Sequence, residues 1–303
     1  MSNLKGLLLN ESHSAINFKS LRDAGAEFVT IHIGGKSEDN KLAFINPSVF
    51  AGMVQKAYDA GLAIGVRYDL WVGYWLHNGY TMQDVDRMPN DKHPIVSQLV
   101  NLLRYKAVSF MSVGLYEMSL ITGSGQVTDS WLGFALRDIT DRLLMLQRAG
   151  VLLPFKLGVY SRADFVNANP SLESTIGARP ELYIHAPKWI KLSTTAPTIS
   201  ELLNKYKVNV AAPAIFGWTS HRKKSLSYWD LGSQDVVIDG AATDIGVEYY
   251  LGDKEDFLTE IKPRLKPQEP APKPEPTPAP EADTLKQILD ELKAIRQILS
   301  ERL

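Results

Sequence analysis

One sequence pattern occurs three times in the first 160 residues: a helical segment ends in Ala-Gly, and an apolar run of β-forming residues follows almost at once. The glycines that end these patterns are Gly25, Gly61 and Gly150, and the runs after them are EFVTIHI, LAIGVRY and a strand ending in KLGVY. A glycine just past a helix provides the left-handed C-cap, and continuous apolar runs are typical of buried parallel strands. The repeated pattern therefore predicts alternating helices and parallel strands.

This alternation continues over some 250 residues, which predicts an α/β fold and, within that class, a TIM-like (modified βα) barrel. A doubly wound open sheet is the alternative, although no G-x-G-x-x-G motif follows any predicted strand. The strands are predicted at residues 6–9, 28–33, 63–68, 108–115, 156–160, 182–185, 212–216 and 236–238, with 242–245 as an alternative to the last.

Two breaks in composition divide the chain into three parts. Residues 1–262 have the mixed pattern of a folded domain, whereas residues 263–282 are rich in proline and predict an extended, semi-rigid linker. Residues 283–303 predict an α-helix, which either packs back on its own domain or, as the stiff linker favours, forms a coiled coil. Leucine at heptad position a with isoleucine at d is typical of trimers or tetramers; the residues are Leu285, Ile288, Leu292, Ile295 and Leu299.

Charge and composition argue against several classes of function. Lysine and arginine number 33 against 34 aspartates and glutamates, so neither a nucleic acid nor an anionic membrane surface is an expected partner. The chain has no cysteine, which excludes disulfides, thiolate metal sites and a cysteine nucleophile. Its first residues do not resemble a secretory signal, and no stretch approaches the roughly 18 apolar residues of a membrane span, so synthesis in the cytoplasm is expected.

In a βα barrel, chemistry takes place at the carboxyl ends of the strands. The polar and aromatic residues at or just beyond the predicted ends are Asn10, His32, Asp69, Glu117, Tyr160, His185, Trp218 and Asp244. Neither His32 nor His185 has a second histidine or a carboxylate at metal-ligand spacing in its own motif, so no metal site is expected. No other cofactor is predicted.

Several motifs, taken in order, resemble the family 25 glycoside hydrolases, which are lysozymes with a modified βα barrel. The segments INFKSLRDAGAEFVTIHIGG and LAFINPSVFAGMVQKAYDAGLAIGVRYD are similar to the first third of that family. GVYSRADF, LYIHAPKW and IFGWTS resemble its fifth, sixth and seventh strands, and TDIGVEYYLGDKEDF resembles its closing segment. The resemblance covers about residues 5 to 262 and implies a barrel that acts on the sugar backbone of peptidoglycan.

The catalytic positions depart from the family pattern. The family's fourth strand ends in Asp-x-Glu, and the resemblance implies that this glutamate is the general acid while the aspartate supports the charged intermediate. In SVGLYEMS, Glu117 matches the acid but Leu115 stands at the aspartate position. Asn10 replaces the first-strand aspartate, Asp69 replaces the third-strand histidine, and Asp244 matches the last-strand aspartate. Because glycoside hydrolysis normally needs two carboxylates, activity is expected to be impaired unless Asp69 or Asp244 becomes the partner of Glu117.

Aromatic and polar residues near the strand ends are the candidates for sugar binding. Trp71 begins an aromatic cluster with Tyr74, Trp75 and Tyr80, which either stacks on sugar rings or closes over the barrel mouth as a packed loop. The predicted substrate-binding set is Asn10, Tyr68, Trp71, Tyr160, His185 and Trp218.

Three functions remain open at this point. The first is a phage-type structural or attachment protein with impaired or lost glycosidase activity, multimerised by its C-terminal helix and joined to a larger virion assembly. The second is an active peptidoglycan muramidase with Glu117 as general acid. The third is a module that binds cell-wall glycans without cutting them. Lysins of this family often carry wall-binding repeats after the barrel, whereas this chain has a spacer and an oligomerising helix, which favours the first. Such a protein would be located in the virion or released at lysis.

Overall fold

The computed structural model describes residues 4–116, 127–179, 181–187, 226–238 and 241–250, together with residues 198, 200 and 203. Three predicted features lie outside these residues: the strand at 212–216, the proline-rich linker at 263–282 and the coiled-coil helix at 283–303. Glu117 and Trp218 also lie outside them.

Strands and helices alternate along the described part of the chain. The strands are β1 (Leu4–Leu9), β2 (Phe28–Lys36), β3 (Leu42–Phe44), β4 (Ala63–Asp69), β5 (Phe110–Gly114), β6 (Lys156–Tyr160), β7 (Tyr183–Pro187), β8 (Leu226–Ile238) and β9 (Ala241–Tyr250). The helices are α1 (Phe18–Asp23), α2 (Pro47–Asp59), α3 (Gly73–His77), α4 (Met82–Arg87), α5 (Pro94–Leu103), α6 (Asp129–Arg148), α7 (Ala163–Asn167) and α8 (Pro170–Gly177). None of these helices is long and apolar enough to cross a membrane.

The strands join into one curled sheet. Hydrogen bonds link β1, β2, β4, β5, β6, β7 and β8 as parallel neighbours, and β9 runs antiparallel between β8 and β1. Because β1 pairs with both β2 and β9, the strand pairings form a closed ring. The predicted α/β fold of the barrel type is therefore confirmed, with an antiparallel last strand as its modification, and the open doubly wound sheet is not formed.

The two short segments proposed as alternative last strands both belong to the sheet. Residues 236–238 end β8, residues 242–245 lie in β9, and the two strands form a long antiparallel hairpin in which Asp235 pairs with Asp244. The hairpin connects β7 to β1 and so completes the ring of strands.

The helix ends follow the sequence signals. Gly25, Gly61 and Gly150, which follow α1, α2 and α6, have φ values of 107°, 71° and 70°, a region that glycine adopts without strain. At the start of α2, the Asn46 side chain accepts hydrogen bonds from the backbone of Ser48 and Val49. These caps set where each helix stops and where the next strand of the sheet begins.

The sheet has an apolar core on each side. The larger core lies between the strands and the helices, and a smaller one closes the barrel interior at the amino ends of the parallel strands. Inside, Phe28 and Phe110 fill space left by Gly6 and Gly65, where an added Cβ would lie 2.1 and 2.0 Å from the respective rings. Since the amino end is filled by aromatic rings, polar side chains are left for the middle and the carboxyl end of the barrel.

Candidate functional site

A cleft of about 330 Å³ opens at the carboxyl ends of β1, β2 and β4. The β2–β3 hairpin forms one of its walls, with Gly34, Gly35 and Phe44 among the lining residues. The polar and aromatic side chains that line it are Asn10, Glu11, His32, Lys36, Asp69, Trp71 and Tyr116. The cleft thus lies where the barrel architecture predicts a functional site.

Asp69 lies at the floor of this cleft and has three polar partners. Its Oδ2 accepts a hydrogen bond from the Tyr116 hydroxyl at 2.8 Å and lies 2.9 Å from His32 Nε2. Its Oδ1 lies 3.2 Å from Arg67 Nε, at ion-pairing distance. Because an ionised carboxylate can only accept, the proton of this contact is assigned to His32 Nε2. Oδ2 is therefore hydrogen-bonded to two neighbouring side chains, whereas the buried Oδ1 has an electrostatic contact with Arg67 and no hydrogen bond from a described residue.

Strand register explains why these side chains meet. Arg67 and Asp69 are two residues apart on β4 and so point to the same face of the sheet. His32 on β2 is the register partner of Arg67, and Gly114 on β5 is the partner of Asp69. The inward side chains of three adjacent strands therefore converge on one carboxylate.

The charge of Asp69 is fixed by this environment. Burial alone would raise the pKa of Asp69, but the charges of Arg67 and His32, with the hydrogen bonds from His32 and Tyr116, hold it well below its usual range. Asp69 is thus ionised at neutral pH. It cannot donate a proton as a general acid, and only 12% of its side chain is exposed to a ligand in the cleft.

At the end of β5, the side chains that point into the barrel are not the ones that the resemblance to the Asp-x-Glu motif suggests. Leu115 is fully buried in the core between sheet and helices, in the same cluster as Met111 and Val113. Gly114 and Tyr116 take the inward positions, since an added Cβ on Gly114 would meet Asp69 and the Tyr116 hydroxyl reaches the same carboxylate. Leu115, aligned with the family aspartate, therefore lies on the face away from the cleft.

Two of the predicted sugar-binding residues line the cleft. The Asn10 side-chain oxygen accepts from the Ser12 backbone and hydroxyl, which caps a short 3₁₀ turn beside the cleft. Trp71 lines the cleft but is almost fully buried, and the Lys36 ammonium lies 5.5 Å from its ring centroid. Trp75 is also buried and stacks on Trp131, as a packed loop would be.

The other predicted residues lie elsewhere. Tyr68 is fully buried in the outer core, stacked on Phe44 with ring centroids 5.2 Å apart, and burial raises the pKa of its hydroxyl above the usual range. Tyr160 and His185 lie inside the barrel and are not among the residues that line the cleft. The backbone of Asp244 lies in β9, whereas its side chain, like Glu117 and Trp218, is outside the described part of the chain.

A second polar cluster fills the middle of the barrel. Ser112 Oγ lies 3.1 Å from His185 Nδ1, and His185 Nε2 lies 3.2 Å from Glu248 Oε1. A serine, a histidine and a carboxylate in a row are the components of a hydrolytic triad. All three residues have 0% exposure, so no substrate reaches this serine, and the cluster is part of the barrel interior.

Several of these residues are not predicted by the sequence analysis. His32 is named there only as a strand-end residue without a partner at metal-ligand spacing, and Arg67, Tyr116 and Glu248 are not named. Arg67 is predictable in principle, because it precedes Asp69 by two residues on the same strand and must share its face. Within the described residues, no three histidine, aspartate or glutamate side chains cluster as metal ligands would.

Comparison with solved structures finds lysozymes. The bacterial lysozyme from Streptomyces coelicolor has a TM-score of 0.51 and 11% sequence identity, over 86% of this chain and 98% of that chain. A family 25 glycosyl hydrolase from Bacillus anthracis has a TM-score of 0.49 and 11% sequence identity, over 85% of this chain and 93% of that chain. A GH25 lysozyme from Aspergillus fumigatus has a TM-score of 0.47 and 12% sequence identity, over 86% of this chain and 100% of that chain. No protein-family model and no curated protein sequence matches the chain.

At such low identity, the likeness to the S. coelicolor lysozyme concerns the fold alone. It extends over 98% of that enzyme and 86% of this chain. The chain therefore has a lysozyme-like barrel fold, as the resemblance of its motifs predicts.

Proposed function

We propose that this chain is a glycan-binding structural or attachment subunit built on a lysozyme-like barrel, with glycosidase activity that is lost or strongly reduced. The observation that carries the proposal is the engagement of Asp69. At the floor of the cleft His32 and Tyr116 hydrogen-bond its Oδ2, and its Oδ1 is buried and faces Arg67 Nε at 3.2 Å.

Neither role of a glycosidase carboxylate suits Asp69 in this state. A general acid must hold a proton at the working pH, and a nucleophile or charge-stabilising group must present an oxygen to the sugar. Asp69 is ionised, its Oδ2 is hydrogen-bonded to His32 and Tyr116, and its Oδ1 is buried against Arg67. Loss of such a group typically costs about a thousandfold or more in rate.

The cleft nevertheless has features of a carbohydrate site. Its volume of about 330 Å³ and its polar rim suit one or two sugar units. The amide of Asn10 and the ammonium of Lys36 supply hydrogen-bond donors, and Lys36 has no ion-pair partner among the residues the structure describes. We infer that sugar hydroxyl and carboxylate groups bind here, with bacterial cell-wall glycan as the ligand class.

Oligomerisation would strengthen weak binding at single clefts. The heptad residues of 283–303 predict three or four copies, and the linker at 263–282 would hold the barrels apart on a short stalk. Several clefts that engage one wall surface gain avidity without any new contact. This arrangement suits a phage-type attachment or structural protein in a larger virion assembly.

An active muramidase is the second candidate, and one observation favours it. Tyr116 touches Asp69, and Glu117 is the next residue in the chain. If Glu117 acts as general acid near an ionised Asp69, the pair would satisfy the two-carboxylate requirement.

The test of the binding function is co-sedimentation of the protein with purified peptidoglycan from several wall types. Lys36→Ala is expected to reduce the bound fraction, with an apparent affinity about three- to tenfold lower. Lys41→Ala is the matched control, because Lys41 is an exposed lysine of the same hairpin that pairs with Asp39 and does not line the cleft. Wild-type protein that binds none of the walls, or equal effects of the two variants, would contradict the proposal.

A further inference from the structure

We propose that Glu248 and His185 are positioning residues: from inside the barrel they hold Tyr160 and Arg67, and through these they fix the carboxylate of Asp69 at the floor of the cleft. The proposal follows from a chain of contacts that runs from the middle of the barrel to its carboxyl end.

His185 has a polar neighbour at each ring nitrogen. Nδ1 lies 3.1 Å from Ser112 Oγ, which in turn lies 2.8 Å from the Tyr183 hydroxyl. Nε2 lies 3.2 Å from Glu248 Oε1, within electrostatic contact but outside hydrogen-bond geometry. The hydrogen bond on one side and the carboxylate contact on the other restrict the imidazole plane through residues of β5, β7 and β9.

Glu248 is itself held on two sides. Its Oε2 accepts a hydrogen bond from the Thr30 hydroxyl of β2, and its Oε1 faces His185 of β7. Glu248 and His185 both have 0% exposure. A buried polar contact of this kind adds little net stability, because taking both groups out of water costs about as much as their contact returns. Its effect is therefore to be sought in the groups it contacts.

Tyr160 connects this pair to the cleft. Its ring stands perpendicular to the His185 imidazole, with centroids 5.0 Å apart, and the Arg67 guanidinium lies 4.3 Å from the centre of the same ring. Arg67 then reaches Asp69, with Nε 3.2 Å from Oδ1. An arginine side chain has several rotatable bonds, and a fixed aromatic platform beneath it favours the one conformation that faces the carboxylate.

The chain offers a matched pair for comparison. His93 Nε2 lies 3.1 Å from Asp138 Oδ2, and both side chains are buried like those of His185 and Glu248. His93 is the N-cap of α5 and Asp138 lies on α6, so the pair belongs to the helix layer, and Arg142 is its further partner. A substitution there disturbs a buried histidine–carboxylate contact outside the chain of contacts that leads to Asp69.

The experiment compares Glu248→Gln with Asp138→Asn in the full-length protein. The first readout is the solvent exchange of the Arg67 Nε–H proton, followed by NMR and assigned by the signal lost in Arg67→Lys. If Arg67 is loosened, its Nε–H proton should exchange with solvent about threefold to tenfold faster in Glu248→Gln, because the guanidinium no longer stays on the Tyr160 ring and against Asp69. Asp138→Asn should leave this exchange unchanged, although its stability falls comparably.

The second readout is the affinity for purified peptidoglycan, and it rests on the proposed function. It should fall about threefold to tenfold in Glu248→Gln and stay constant in Asp138→Asn. Wild-type protein without affinity for peptidoglycan would contradict the proposed function only, because the exchange of the Arg67 Nε–H proton decides the positioning role without any glycan.

A folded Glu248→Gln protein with unchanged exchange of the Arg67 Nε–H proton would overturn the proposal. An equal acceleration in Asp138→Asn would also overturn it, because the faster exchange would then report general loosening. Should Glu248→Gln fail to fold, Tyr160→Leu is the second variant, since it removes the aromatic platform and no charge. The same faster exchange is expected there, and its absence counts against the proposal.

Discussion

A Cβ atom on Gly114 would lie 2.3 Å from Oδ1 of Asp69, so the carboxylate of β4 occupies the space that a side chain of β5 would need. The two residues are register partners on adjacent parallel strands. The Asp-x-Glu motif of the resembled family would place carboxylates on this inward face of β5. In this barrel the inward positions are Gly114 and Tyr116, and the carboxylate at the floor comes from the neighbouring strand.

Gly114→Ala tests this close approach. The added methyl group should force Asp69 away from Arg67 and lower the free energy of unfolding by about 1–3 kcal/mol. Urea unfolding measures the change. The control is Gly52→Ala in α2, where an added Cβ meets nothing within 4 Å; it should be neutral or stabilising by up to about 1 kcal/mol. Equal effects at the two glycines would contradict the packing of Asp69 against Gly114.

The ionised state of Asp69 makes a prediction about acid stability. Arg67 and His32 hold the folded-state pKa of Asp69 below that of the unfolded chain, despite the opposing effect of burial. Such a group stabilises the fold above the unfolded value of about 4, and this contribution is lost as the pH falls through the lower folded value. Asp69→Asn should therefore lower the stability at pH 7 by about 3 kcal/mol and weaken its dependence on pH below 4.

Urea unfolding between pH 2 and 7 measures both effects. Asp164→Asn is the control, because Asp164 pairs with Arg162 at the surface with 66% of its side chain exposed, where solvent screens the interaction. Its substitution should change the stability by less than about 1 kcal/mol. An Asp69→Asn protein with the acid profile of the wild type would show that the carboxylate is not held as described.

Arg67→Lys separates charge from shape at the floor of the cleft. Lysine keeps the positive charge beside Asp69 but lacks the planar group that stacks on Tyr160 at 4.3 Å. The free energy of unfolding should fall by about 1 kcal/mol, and the affinity for peptidoglycan should fall severalfold. Thermal unfolding and co-sedimentation measure these changes. A lysine variant equal to the wild type in both would mean that charge alone maintains the site.

The sequence contains strong signals for the order of helices and strands, and weaker ones for which side chains of a strand point into the barrel. Asn46 and Gly61 delimit α2 because capping depends on a few local residues, and this helix leads directly into β4. The end of β5 is different. Whether Leu115 or Gly114 faces inward depends on the register with β4 and β6, which no local pattern in SVGLYEMS determines.

The contacts of the site also depend on strand register, so the sequence predicts the site only in part. Asp69 follows from the rule that chemistry lies at the carboxyl ends of barrel strands. Its contact with His32 requires the register between β2 and β4, in which His32 pairs with Arg67, and that pairing joins residues far apart in the chain. Glu248 was harder still to find, because a carboxylate near the end of an apolar run is usually exposed, whereas here it is fully buried.

The C-terminal heptads predict a self-associating chain. Ile288→Asp combined with Ile295→Asp would place charges in the seam and should convert a trimer or tetramer into a monomer. Sedimentation equilibrium measures the mass, and Lys286→Asp outside the seam is the control. A wild-type protein that sediments as a monomer would contradict the coiled coil and the avidity that it would provide.

The central claim is that the cleft binds cell-wall glycan but hydrolyses it slowly or not at all. Release of reducing ends from purified peptidoglycan tests it most directly, with wild-type protein and Glu117→Gln measured beside an active lysozyme. The account predicts no release above background from either form, on walls that the protein nevertheless binds. Release by the wild type that Glu117→Gln abolishes would contradict it and identify the protein as a muramidase.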